Sequence, residues 1–272
     1  MRRFFINQSD VSKSTIIVRG NDAKHIKSVL RLGPGDNIAL IDGTGIEYTA
    51  KIKLLLPEII HATILTKYSS ASESPLHLTV AQAFLKDKKM DRLVKSLTEL
   101  GITNWIPFTA HRSVSIPNKK RLESRIKRWV KISQEAAKQC ERGKLPSIQI
   151  DIETDTKTET TETISFKDII KYQIDFDIKI IFWENEVTTI PFNISNIATS
   201  TSSFSQITTS VKKILIILGP EGGFTPEEIQ LARSNNFQTF SLGPRILRSE
   251  TAAIAATTLI QYFFGDMGEK IP

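Results

Sequence analysis

Two segments of this chain share one grammar, and it constrains the fold more tightly than anything else in the sequence. LGPEGGFTPEEI (218–229) follows the apolar run Ile214 to Leu218, and LGPRILRSETAA (242–253) follows Phe237 to Leu242. In each, a short apolar run that reads as a strand buried on both faces breaks at a Gly-Pro turn and gives way to a helix. Thr225, Pro226 and Glu228 form a capping box with proline at the first helical position, and the second helix opens near Ser249. Gly219, Gly222 and Gly223 let the backbone turn sharply and present free amides to a ligand. Two such loops at the carboxyl ends of neighbouring parallel strands would enclose one pocket, where open α/β sheets hold their ligands.

The rest of the carboxyl-terminal part extends this alternation. Leu76, Leu78, Val80, Gln82 and Phe84 alternate as a strand, and Asp87 can cap a helix carrying Met90, Leu93, Val94, Leu97 and Leu100. Ile102 to Phe108 and Ile178 to Trp183 read as further strands. Asn118 caps a long helix with Leu122, Ile126, Trp129, Val130, Ser133, Ala136, Ala137 and Cys140 on one face and much of the positive charge around the rest. The last helix, Thr251 to Phe264, is apolar around most of its circumference, so a core or a subunit interface must cover it. Residues 1–70 instead read as short strands between turns, with Gly33-Pro34-Gly35-Asp36 and Asp42-Gly43 as turn signals. One helix interrupts them, capped by Asn21 or Asp22 with His25, Ile26, Val29 and Leu30 inward. Lys67 to Pro75 has the small polar composition of a linker, which sets a β-rich domain at 1–70 and an α/β domain at 75–272. Two Thr/Ser-rich tracts, 151–165 and 193–210, read as insertions without chemistry.

Several function classes are excluded. Cys140 is the only cysteine and His25, His61, His77 and His111 lack paired-ligand spacing, so neither a disulfide scaffold nor a metal site is expected. No apolar run is long enough to span a bilayer, and MRRFFINQSD turns polar too soon for a signal peptide, which implies a cytoplasmic protein without a membrane partner. G-x-x-x-x-G-K-[ST] and G-x-G-x-x-G are both absent, against nucleotide hydrolysis and hydride transfer. The net charge of +7 is unevenly spread: residues 1–150 carry 26 basic and 13 acidic side chains, an excess of +13 suited to a polyanion.

MRRFF, HIKSVLRLGPGD, KDKKMDRLVKSLTELGI, EAAKQCER, LGPEGGFTPEE and LGPRILRSETA, in that order, resemble the bacterial ribosomal RNA small subunit methyltransferase E family of the SPOUT class. The resemblance covers nearly the whole chain outside the two Thr/Ser-rich tracts. It implies an α/β domain with a trefoil knot, a small amino-terminal PUA-like β-barrel and a homodimer. It further implies methylation, by S-adenosylmethionine, of N3 of a uridine in the decoding region of small-subunit (16S) ribosomal RNA, free or in the assembled subunit. By the same resemblance, Leu218, Gly219, Pro220, Gly222, Gly223, Leu242, Gly243, Ile246, Leu247 and Arg248 would hold the cofactor. Ser249, where the family more often has threonine, keeps the hydroxyl and the cap.

Methyl transfer to uracil N3 needs loss of the N3 proton, and the charge that spreads onto O2 and O4 needs a cationic or hydrogen-donating partner. Arg248, which ends the second loop and does not lose its proton, is expected in that role. Glu221 and Glu250 are candidates to accept the proton or to orient ribose and arginine, with Glu184 a weaker one. RNA contacts are expected from Arg2, Arg3, His25 and Arg31 in the small domain and from Lys86, Lys88, Lys89, Arg92, Arg112 and Arg142 in the large one. Two other readings remain open: an RNA-binding ribosome-assembly factor without turnover, and a ribose 2′-hydroxyl methyltransferase of the same class.

Overall fold

The computed structural model describes residues 3–151, 163–172, 175–189 and 213–268; Arg2 and most of both Thr/Ser-rich tracts lie outside them. The chain divides into two compact units, Met1–Glu73 with Gln134–Leu145, and Ser74–Ser133 with Pro146–Pro272. A linear reading places Gln134–Leu145 in the larger domain, whereas here it packs with the first unit.

In the first unit five strands, β1 (Arg3–Phe5), β2 (Thr15–Arg19), β3 (Asn37–Ile41), β4 (Ile46–Leu55) and β5 (Ile59–Ser69), form a sheet in the order β1-β3-β4-β5-β2. The start of the expected linker, through Ser69, belongs to β5, where Tyr68 pairs with Glu47 of β4. Helix α1 (Gly20–Lys24) has no side-chain cap, contrary to expectation, and widens into a π turn over His25–Val29. That extra residue per turn rotates Val29 out to 66% exposure while Ile26 stays buried.

Two arginines expected to touch RNA are engaged within this unit. Arg142 is 4% exposed and its guanidinium lies 2.9 Å from the Glu73 carboxylate, which also accepts the Lys144 amide at 2.8 Å. Arg3 pairs with the buried Glu47 at 3.1 Å and donates to the Glu141 carbonyl at 2.7 Å. Both cations satisfy carboxylates that would otherwise be desolvated alone. Of the other small-domain candidates, Arg31 is exposed and His25 is half-buried with its ring edge against Phe4.

The second unit is a parallel six-stranded sheet of β6 (His77–Ala83), β7 (Asn104–Phe108), β8 (Ser147–Ile148), β9 (Ile178–Phe182), β10 (Lys213–Leu218) and β11 (Gln238–Phe240), in the order β11-β9-β10-β6-β7-β8. Period-two alternation sends Ile214, Ile216 and Leu218 of β10 into one core and Leu215 and Ile217 into the other. Strand β6 is apolar on both sides for the same reason: Leu78 and Val80 face one core, Ala81 and Ala83 the other. Helices α2 (Lys89–Glu99), α3 (Lys119–Cys140) and α6 (Ser249–Phe264) supply side chains to the first core, and α4 (Phe166–Ile170) and α5 (Pro226–Ser234) to the second. Burial of Ala253, Ala256, Ile260 and Phe264 in the first core accounts for much of the apolar character of α6.

The caps hold in part. Asn118 accepts the Arg121 amide at 3.0 Å, and Thr225 and Glu228 form the full capping box. Asp87 does not cap α2; it takes a left-handed backbone at φ +54 and turns the chain ahead of the helix. The end of the first Thr/Ser-rich tract is ordered, with Ser165 capping α4. Trp129 is core, 1% exposed, stacked edge-on to Trp105 and donating to Asp91 at 2.9 Å. Val130, on the same predicted stripe, is 37% exposed. Arg142→Ala leaves the half-buried Glu73 without its cation, with the Lys144 amide still bound to it, so the full chain should lose about 1–3 kcal/mol in urea unfolding. Unchanged stability with weakened RNA binding would return Arg142 to the RNA-contact set.

Candidate active site

Three loops, not two, meet at the carboxyl edge of the large sheet. Strand β9 lies between β10 and β11, so the glycine loops do not leave adjacent strands and the segment after β9 joins them. Together they border a cleft of 360 Å³. Its lining includes Leu218, Gly219, Pro220, Gly223, Leu242, Gly243, Ile246, Leu247 and Arg248, the cofactor residues expected from sequence except Gly222, and with them Glu221. Gly222 faces away: its carbonyl accepts from Arg112 at 3.0 Å, and an added Cβ would come within 3.0 Å of the Arg112 Cβ. Arg112, expected to touch RNA, thus braces the first loop. Gly223, at φ +68, lies so close to Glu184 that any Cβ would overlap its carboxylate.

Two residues join the loops from beneath. Gln82, fully buried near the end of β6, donates from Nε2 to the Gly219 carbonyl at 3.0 Å and to the Ser249 hydroxyl at 3.2 Å. Ser249 also donates to the Gly219 carbonyl, so its hydroxyl ties the second loop to the first instead of capping α6, whose N-cap position is Arg248. Gln82 was legible only as an apolar-strand residue. A polar side chain at an inward position of a buried strand is the signal that marks it.

The charged groups fall into two sets. Lys89, grouped by sequence with the RNA contacts, lines the cleft and lies 3.1 Å from Glu221 and 3.5 Å from Glu250. Glu221 also accepts the Lys86 amide at 3.0 Å. Burial pushes its carboxyl pKa up, but the amide bonds and Lys89 outweigh this and hold it below the usual value. Lys89 in turn is held more firmly protonated, chiefly by its hydrogen bond to Glu221. Glu221 is therefore a clip that fixes the loop and Lys89, a poor proton acceptor. Arg248 is exposed at the rim and pairs with no acid among the described residues, Glu250 included. Lys86, Lys88 and Arg92 are exposed close by in sequence. No group of His, Cys, Asp or Glu among the described residues could hold a metal ion.

Glu186 pins the loop after β9. Desolvation raises its pKa, but bonds from the Thr239 hydroxyl, the Thr188 amide, Arg233 and the Val187 amide prevail and lower it from 4.5 to about 2. A depressed carboxyl pKa stabilises the fold above the unfolded value and ceases to do so as pH falls through the folded one. Glu186→Gln should thus be less stable than the parent by about 1–3 kcal/mol at pH 7. The gap should close between pH 4.5 and about 2. A gap that stays constant over that range would contradict the account.

Comparison with known proteins agrees with this architecture. Residues 72–261 match the RNA methyltransferase domain family and residues 18–65 the RNA methyltransferase PUA domain family. The ribosomal RNA small subunit methyltransferase E of Bacillus subtilis is 30% identical over 268 residues, 96% of each chain. That of Rickettsia conorii is 31% identical over 269 residues, covering 95% of this chain and 94% of the relative. The crystal structure of the Neisseria gonorrhoeae enzyme bound to S-adenosyl methionine superposes with a TM-score of 0.78 at 28% identity, over 98% of this chain and 99% of that one. A parallel α/β sheet with a glycine-loop cleft, an amino-terminal PUA domain and full-length similarity place this chain in the ribosomal RNA small subunit methyltransferase E family.

Proposed function

We propose that this protein, as a homodimer, methylates N3 of one uridine in the decoding region of small-subunit ribosomal RNA, with S-adenosylmethionine as donor. The observation that carries the reading is the convergence of three loops on one cleft, with an unpaired arginine at its rim. The cleft's chemistry suits the donor. Leu218, Leu242, Ile246 and Leu247 offer aliphatic walls to a purine, and the loop backbone offers amides and carbonyls to its edge and to a ribose. The indole Nε1 of the cleft-lining Trp183 is buried without a hydrogen-bond partner, and at Gly243 a Cβ would meet nothing within 4 Å. When bound, the donor supplies an electrophilic methyl group on a sulfonium.

The chain's own residues then have separable tasks. Arg248 meets the negative charge that spreads over uracil O2 and O4 once the N3 proton has gone. Glu221 has its lone pairs engaged by Lys86 and Lys89, whereas Glu250 is held by the longer 3.5 Å ion pair of its Oε2 with Lys89 and is the carboxylate left to take that proton. Gln82 and Ser249 keep the two glycine loops in register. The part of α6 that the core leaves uncovered, with Ile254 37% and Tyr262 55% exposed, supports a second copy docked along it.

Nucleoside mass spectrometry of ribosomal RNA from cells lacking the gene tests this reading. Loss of 3-methyluridine that the parent gene restores is expected. Complementation with Arg248→Ala should not restore it, because the purified variant should turn over about 100- to 1,000-fold more slowly while folding and donor affinity persist. Loss of a 2′-O-methylated nucleoside instead would identify the ribose methyltransferase, and no loss of either would leave a binding factor. Retained turnover in Arg248→Ala would remove that residue from the chemistry.

A further inference from the structure

Seven of the thirteen residues from Lys119 to Lys131 are basic, against a single acid, Glu123. At about 100° per residue, Lys120, Arg121, Arg125, Lys127, Arg128 and Lys131 fall within one arc of about 160° on α3. The opposite side of the helix carries Leu122, Trp129 and Ser133, which are 5%, 1% and 1% exposed. Five of the six cations are exposed and Arg125 is half-buried. Only Arg128 among these six pairs with an acid of the described residues, Asp91 at 2.8 Å. Arg121 with Arg125, and Lys127 with Lys131, stand four residues apart, a spacing at which like charges repel and weaken a helix. An arc of this kind, with one cation in six paired, is stabilised by a polyanion that binds to it.

We propose that this face of α3 is a docking surface for the phosphate backbone of the substrate RNA, separate from the contacts inside the cleft. The inference rests on the RNA-methylating reading of that cleft and adds to it the surface that holds the substrate. Asp91 accepts from both Trp129 and Arg128, which seats α3 on α2. The first residue of α2, Lys89, lines the cleft, and Lys88 and Arg92 are exposed beside it. Positive side chains therefore continue from the arc along α2 to the cleft mouth, as a strand laid across both requires. An anionic membrane is the less suitable partner, because a helix lying in a bilayer surface inserts an apolar face. The apolar stripe of α3 is turned into the protein, and of its large apolar side chains Val130 is the one exposed, at 37%.

Phosphate contacts made by cations have a measurable signature, since each one lost makes the dependence of log K on log salt shallower by about 0.7–0.9. The full chain with Lys120, Arg121, Arg125 and Lys127 all changed to glutamine is titrated with a small-subunit ribosomal RNA fragment between 50 and 200 mM salt. The slope should drop by about 3, affinity should weaken by roughly 10- to 100-fold, and methyl transfer should show a raised KM for RNA with kcat retained. Donor affinity should stay within twofold. Glu123→Lys, which adds a cation at the edge of the arc, should tighten RNA binding and steepen the slope by about one. Unchanged slope and affinity in both variants would overturn the docking surface, as would arc-dependent binding confined to phosphatidylserine vesicles. A parent protein that methylates the fragment as fast as the glutamine variant at limiting RNA sinks this proposal and leaves the function standing. A parent that binds RNA through the arc but transfers no methyl group to it does the reverse.

Discussion

The carbonyl of Gly219 is the point on which the site depends. It accepts from the amide of Gln82 and from the hydroxyl of Ser249, so one acceptor on the first glycine loop is shared by the end of β6 and the start of α6. Buried hydrogen bonds of this kind are strong locally because no water competes for them, and removing one partner strands the others. The clasp ties the loop after β10 to the loop after β11, which β9 separates in the sheet. With it, Leu218 and Leu247 become walls of the same space, and Arg248 is delivered to its rim.

Charge is divided between side chains engaged inside the fold and side chains left to the surface. Arg3, Arg142 and Arg112 hold the fold together, the first two by satisfying Glu47 and Glu73 and the third by bracing Gly222. Lys89 is drawn into the cleft by Glu221 and Glu250. What remains outside includes Arg31 and other cations of the first unit and an exposed set on α2 and α3. The positive balance of the first 150 residues is thus only in part a ligand-binding property.

Local chemistry made much of this legible in advance. The capping box at Thr225 and Glu228, the strand of isoleucines ending at Leu218 and the cap at Asn118 depend on residues within a few positions of one another, and sequence displays them directly. Strand order is different: β9 enters between β10 and β11 through a pairing of distant segments that no local pattern encodes. The same limit explains the arginines, because Arg142 finds Glu73 only after Gln134–Leu145 folds back on the first unit. Asp87 and Val29 show tertiary context overriding propensity, through a left-handed turn and a π turn. The cleft residues of the two glycine loops were found because the motif holds them together, whereas Gln82, Trp183 and Lys89 come from other strands and helices.

The most direct test of the clasp is a calorimetric titration of S-adenosylmethionine into Gln82→Leu, which keeps the size of the side chain and removes its donors. Affinity should fall by roughly 5- to 150-fold, the equivalent of about 1–3 kcal/mol for losing the Gln82 donor to the Gly219 carbonyl and the Ser249 hydroxyl, while the full chain still unfolds cooperatively. A dissociation constant within twofold of the parent would show that the loops hold their places without the Gly219 carbonyl, and would contradict the account.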